Sequence, residues 1–154
     1  MALVESKLKS ELETWMNSPS DNVNDAINAF VTAYENYAKS AIATSGGSLV
    51  SYPGKTNTIN SLLTIPSIGT PLSGATLFAT ALSLFWVGAT LTPSTVTTTF
   101  VPATLISALL PTFSNIDPNT TVSQYATDLS TAIHTATLTV ITYNSGAATF
   151  GTLG

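Results

Sequence analysis

The 154-residue sequence predicts a mainly α-helical bundle with Ser/Thr/Gly-rich loops. Three observations lead there. Val23, Ile27, Phe30, Tyr34, Tyr37 and Ala41 are spaced 4-3-4-3-4, an apolar seam of the kind that packs one helix on another. The same rhythm returns in Val122, Ala126, Leu129, Ile133, Ala136 and Val140, each 99 positions after its counterpart. Between the two seams, Leu72 to Leu91 is apolar, uncharged and flanked by Pro71 and Pro93.

Residues 1–17 come first. Leu8, Leu12 and Met16 lie one helical turn apart, with Val4 leading and Trp15 beside the last, so one face is apolar. Glu5, Glu11 and Glu13 share the solvated side with Lys7 and Lys9. "MNSPSDNV" ends this helix and starts the next, with Ser18 as N-cap, Pro19 at the first helical position and Asp21 where a capping box needs an acceptor. The second helix is then expected over 19–45, stopped by Gly46-Gly47.

Residues 46–70 read as a loop region, from the Pro53-Gly54 turn and the breaks at Pro66 and Pro71. Thr70 can cap an apolar helix over 71–91, with Pro71 at its first position. In 92–117 a Thr-rich, extended run precedes a short helix limited by Pro102 and Pro111. The second seam helix is placed at 118–142, started by Asp117-Pro118 and Thr121, with Gln124 completing a possible capping box. Thr137 to Tyr143 is β-branched and roughly alternating, so a short β segment near the C-terminus suits it as well as helix does. Residues 143–154 form a glycine-punctuated tail, of a kind that reaches onto a neighbour or frays when free. The 99-residue offset also aligns Thr32-Ala33 with Thr131-Ala132, a loose internal repeat of one helix type.

Charge is scarce: 8% of residues, against about 25% in an ordinary globular chain. From Thr56 onward the only formal charges are Asp117 and Asp128, His134 aside. A surface filled with Ser and Thr hydrates well but repels copies of itself poorly, which favours association. Four lysines and no arginine, at net charge −4, argue against nucleic-acid binding. Without cysteine there is no disulfide, thiolate nucleophile or Cys metal site. The charged amphipathic start lacks an apolar signal core, so Sec-type export is not expected.

Chemistry is hard to find. His134 is the single histidine and reads as a polar interface residue beside the seam. Asp21 and Asp25 sit where a helix dipole favours negative charge, and Asp117 sits in a turn. "ATSGGS" and "GATFGTLG" lack the Lys and Ser/Thr of a phosphate loop. Neither an enzyme activity nor a cofactor or metal is therefore expected.

The opening "MALVESKLKSELETWM", the "AINAFVTAYENYAKSAI" helix and "YATDLSTAIHTATLTV" with its "GTLG" ending together resemble a class of small tailed-bacteriophage virion proteins encoded among head, neck and tail genes. The resemblance spans the chain as a pattern and carries no functional residue. It implies a non-enzymatic structural subunit of a neck, tail or baseplate, ahead of capsid decoration, in a virion assembled in the host cytoplasm. Partners would be copies of itself and other virion proteins. The packing and interface candidates are Phe30, Tyr34, Tyr37, Phe78, Phe85, Trp86, Leu129 and Ile133. The alternative is a small membrane protein with a span at 72–91, since twenty helical residues cover about 30 Å. Ser, Thr and Gly within the stretch, and the absence of Lys or Arg at its ends, weigh against that.

Overall fold

The computed structural model describes residues 2–65, 69–114 and 117–154. It is mainly helical, 53%, with a small antiparallel sheet. The elements are α1 (Glu5–Met16), α2 (Val23–Ala38), α3 (Lys55–Leu62), α4 (Pro71–Leu84), β1 (Thr90–Leu91), β2 (Ser94–Thr98), α5 (Pro102–Ser114), α6 (Val122–Thr137), β3 (Ile141–Asn144) and β4 (Thr149–Thr152).

Their order repeats three times: two helices, then a β-hairpin. The first unit is α1, α2 and a hairpin built on the bridge between Ile42 and Ser48. The second is α3, α4, β1 and β2; the third is α5, α6, β3 and β4. Helices pack in chain order, α1 on α2 through to α5 on α6, and α6 closes on α1. The hairpins close as well. Strand order β1-β2-β3-β4 is extended by bridges of Ala43 to Leu153, Gly47 to Pro93 and Ser51 to Thr90. The ladder thereby returns to its start, and no hairpin keeps a free edge.

The recurring residues explain the recurring units. Thr32-Ala33, Thr80-Ala81 and Thr131-Ala132 occupy equivalent turns of α2, α4 and α6, and all three alanines are buried. Each of these helices opens on a side-chain cap: Asn22 accepts from the Asp25 amide, Thr70 from Ser73 and Thr121 from Gln124. α2 and α6 have equal length and start and end 99 residues apart. The middle copy, α4, starts 48 residues after α2, and its polar positions, Ser73, Thr76, Thr80 and Ser83, carry no charge.

Several boundaries differ from the sequence expectation. The helix expected from 19 starts at Val23, because Asn22 and Asp25 bond reciprocally (2.9 and 2.7 Å) and make a stronger cap than Ser18. It ends at Ala38 rather than 45, since the amides of Ile42, Ala43 and Thr44 bond to Gly154, Gly47 and Thr152. Gly46 and Gly47, at φ +102° and +105°, turn a hairpin instead of stopping a helix. The 46–70 loop contains α3; Pro66, within it, lies outside the described residues. The apolar helix of 71–91 stops at Leu84, and Thr90–Leu91 is a strand. Among the described residues no helix is long and apolar enough to cross a membrane. α5 continues one turn past Pro111, held by Phe113, whose ring meets Phe78 edge-on at 6.1 Å. The helix of 118–142 ends at Thr137, and the tail of 143–154 is half of an ordered hairpin with Leu153 buried.

Candidate functional site

The interior is organised by two hydrogen-bond relays, one buried and one partly buried, each drawing one side chain from every unit. In the first, Trp86 Nε1 donates to the Tyr34 hydroxyl at 2.8 Å. Tyr34 is 3.1 Å from Thr137 Oγ1, and Thr137 Oγ1 donates to the Ile133 carbonyl at 2.8 Å. An indole N–H can only donate, and the Thr137 proton is already used, so the Tyr34 proton must point at Thr137. Tyr34, Trp86 and Thr137 are all fully buried. Burial pushes the Tyr34 phenol up to about 12, despite the hydrogen bonds of Thr137 and Trp86, so it keeps its proton.

The second relay lies inside the hairpin ring. Thr142 Oγ1 and Ser45 Oγ are 2.8 Å apart, Ser45 Oγ and Ser94 Oγ 3.0 Å, and Ser94 Oγ donates to the Gly46 carbonyl. The last bond fixes the direction: Thr142 donates to Ser45, which donates to Ser94. Asn144 Nδ2 adds a bond to the Ser45 carbonyl at 2.9 Å. Gly47 shows how closely the hairpins meet. A Cβ there would stand 2.0 Å from the Leu91 carbonyl oxygen.

The eight sequence candidates converge on the upper part of this axis. Phe30, Phe78 and Leu129 are equivalent positions of the three units, as are Tyr34 and Ile133, and Tyr37 and Phe85. Phe30 stacks tilted on Phe78 at 5.4 Å, and Tyr34 meets Phe85 edge-on at 5.0 Å. Seven of the eight are buried, and Phe78 is half-buried against the core. All of them pack within the chain.

Two further clusters hold titratable groups. Glu35, 7% exposed, is held by Lys39 at 2.8 Å, Tyr52 at 2.6 Å and Lys55. Burial by itself would raise its carboxyl. The hydrogen bonds from Lys39, Lys55 and Tyr52 together outweigh it and hold the group at about 2. Tyr52 in turn stacks on Phe85 at 5.4 Å, so the cluster ties α3 to α2 and to the core. The Tyr37 hydroxyl lies 2.6 Å from His134 Nδ1. Burial raises the phenol and lowers the imidazole, while nearby Glu5 partly opposes the latter. Both shifts favour the neutral forms of phenol and imidazole, and which of the two donates follows from the imidazole tautomer.

Chemically, these groups are occupied by one another. Among the described residues no buried side-chain nitrogen or oxygen lacks a partner, and no group of His, Asp and Glu is placed to hold a metal. Asp25 serves the α2 cap, and Asp117 Oδ1 accepts from the Asn119 amide at 2.8 Å in a turn. A cleft of about 780 Å³ opens between the end of α1, the start of α4, the end of α5 and the start of α6. Trp15, Phe78, Phe113, Tyr125 and Leu129 line it, and no charged side chain does.

Sequence reading missed Tyr52, Lys55, Thr137 and the Ser45–Ser94–Thr142 relay, whose partners lie 17 to 103 residues away in the chain. Only the Glu35–Lys39 spacing of four was visible. Comparison of the chain with protein-family models, curated proteins and solved structures finds no match in any of the three.

Proposed function

We propose that this chain is a non-enzymatic structural subunit of a tailed-phage particle, in the neck, tail or baseplate, that assembles through neutral and apolar surfaces. The observation that carries the reading is the charge distribution on the fold. The hairpin ring, formed by residues 41–51, 90–98 and 141–154, has no charged side chain on either face. All acidic residues and lysines lie on the helical part or its connections. The ring end thus carries no side-chain charge to oppose close approach of another copy. Hydroxyl relays pin the three units together, which suits a rigid part bearing load rather than a site that must move during a reaction.

The test is mass spectrometry of density-purified particles from cells producing the chain's native phage. Its peptides should band with the particles at a fixed ratio to the major structural proteins and persist through a high-salt wash. Recovery only in the soluble lysate, or only in membranes, refutes the proposal.

A further inference from the structure

The contact that closes the third unit onto the first contains the chain's single histidine. α6 carries His134 and Thr137 three residues apart, and α2 carries Tyr34 and Tyr37 with the same spacing. Tyr34 bonds forward of its equivalent, Ile133, to Thr137 at 3.1 Å. Tyr37 bonds behind its equivalent, Ala136, to His134 Nδ1 at 2.6 Å. The two bonds therefore cross, and Thr137 acts as a hydrogen-bond partner of the Tyr37 phenol as well as of Tyr34. His134, Tyr37, Thr137, Tyr34 and Trp86 thus form one chain of polar atoms that begins at a titratable group and ends at an indole.

The groups facing His134 are few. α1 brings Glu5, whose Oε1 accepts from Thr131 Oγ1 at 2.5 Å, three residues before His134. α2 brings Tyr37, and α5 has no titratable side chain. Burial opposes a charge on His134 and outweighs the attraction of Glu5, so the imidazole titrates below 6.5. We propose that His134 is a proton-sensitive switch on this closure: neutral, it accepts the Tyr37 proton at Nδ1; protonated, it donates there and turns the Tyr37 hydroxyl onto Thr137. A phenol is the better donor and an imidazole nitrogen the better acceptor, so the neutral pair takes the Nε2–H tautomer. His134 is partly exposed, so water supplies the second proton. An imidazolium has two donors and no acceptor, which forces the Tyr37 proton to leave it. Thr137 Oγ1 gives its own proton to Ile133 and has two lone pairs, one for Tyr34 and one for Tyr37. Tyr34 then shares its acceptor, and because bonds in a chain polarise one another, Trp86 Nε1 at the far end changes too. The contact between first and third units is therefore firmest above about pH 6.5 and weakens as pH falls toward the folded value of His134.

NMR of the full chain tests the switch over about pH 8 to 5, where histidine is the side chain expected to titrate. The two indoles separate the relay from a general effect of acid, since Trp15 Nε1 donates to the Ala26 carbonyl outside the chain of bonds. The Trp86 indole resonance should shift with the midpoint of the His134 imidazole, while Trp15 stays still. In Tyr37→Phe, His134 should still titrate and the Trp86 response should vanish. In Glu5→Gln both midpoints should move together to lower pH, because the attraction of Glu5 is gone. A Trp86 resonance that ignores His134, or that follows it equally in Tyr37→Phe, overturns the proposal. So does a neutral Nδ1–H tautomer, or a His134 that does not titrate in this range. None of these outcomes bears on the assembly role proposed above.

Discussion

Tyr34→Phe is the sharpest probe of the relay that joins the three units. The substitution keeps the ring and its contact with Phe85, and removes one oxygen from a fully buried position. Trp86 Nε1 then has a proton and no acceptor, and a buried unsatisfied donor costs about 1–3 kcal/mol. Thr137→Val has a similar expected effect for a different reason: the Tyr34 hydroxyl still accepts from Trp86 but loses its own acceptor. In the double variant the Tyr34 proton is gone, and only Trp86 is left unpaired. The double variant should therefore be about as stable as Tyr34→Phe alone, giving a coupling of about 1–2 kcal/mol between the sites. Urea unfolding of the four proteins, followed by far-UV circular dichroism and Trp fluorescence, measures the cycle. For a chain of this size each kcal/mol also moves the melting midpoint by about 2–4 °C. Additivity within about 0.3 kcal/mol would refute the directed relay, because independent bonds lose their energies separately.

The remaining predictions concern the ion cluster, the hairpin closure and the close backbone approaches. Glu35 ionises at about 2 in the fold against 4.5 when free, so its contribution is fully present above about pH 5 and is lost as pH falls toward 2. The loss is at most about 3 kcal/mol, and urea midpoints of Glu35→Gln should show a flatter acid limb than wild type. His134, lowered by burial, should titrate below 6.5 in an NMR pH series. It should shift toward the ordinary value in Tyr37→Phe only if partial exposure follows, so an unchanged profile there supports burial as the cause. Hydrogen exchange should find the amides of Ile42, Thr44 and Gly154 protected to a degree comparable with the core helices, because they close the ladder; exchange at the rate of a free tail would refute closure. Gly54→Ala should prevent stable folding, since its Cβ would lie 1.9 Å from the Leu84 carbonyl oxygen, whereas Gly146→Ala should change the melting midpoint little, with its nearest contact at 3.5 Å.

The helices were legible where one face is apolar and the other polar. The seams of α2 and α6 were readable because Asn24, Asn28, Thr32 and Glu35, or Ser123, Thr127 and Asp128, separate the apolar positions. α4 keeps the same spacing in Ala75, Phe78, Leu82, Phe85 and Ala89, with Ser73, Thr76, Thr80 and Ser83 between, but the further apolar residues Leu72, Leu77 and Leu84 blur the contrast that marks the other two copies. The hairpins were legible only in part: the β-branched alternation of Thr137 to Tyr143 marks the short C-terminal β segment where β3 begins, but not its partners. Their inward positions are small or hydroxylic, Ala43, Ser45, Ser94 and Thr142, so the large apolar alternation that marks a strand is missing. Each hairpin pairs locally, but its neighbours in the ring lie about 40 to 110 residues away, from Ser51 on Thr90 to Ala43 on Leu153, and no local window contains that information. Of the chemistry, the aromatic axis was visible as apolar side chains. The polar atoms that give it direction depend on which unit faces which.

Closure also sets how this chain can associate. An open repeat array exposes a terminal unit whose unmatched face invites another copy, and it needs dedicated caps to prevent this. Here the third unit covers the first, through α6 on α1 and through Leu153 and Gly154 on Ala43 and Ile42, so the repeat itself is saturated. Extension of the repeat into a second copy is thereby closed off, which turns attention to features that break the three-fold pattern. Two are prominent. One is the elongated third hairpin with its exposed Phe150; the other is the cleft, which opens between the first and third units and the start of α4 rather than at three equivalent places. Restoring the pattern is therefore a different perturbation from damaging the fold. Shortening β3–β4 by two rungs, so that the third hairpin turns as tightly as the second, should leave the ring closed and the melting midpoint within a few degrees. It should abolish self-association, read by analytical ultracentrifugation over a concentration series. A shortened variant that still assembles would show that the asymmetry is incidental.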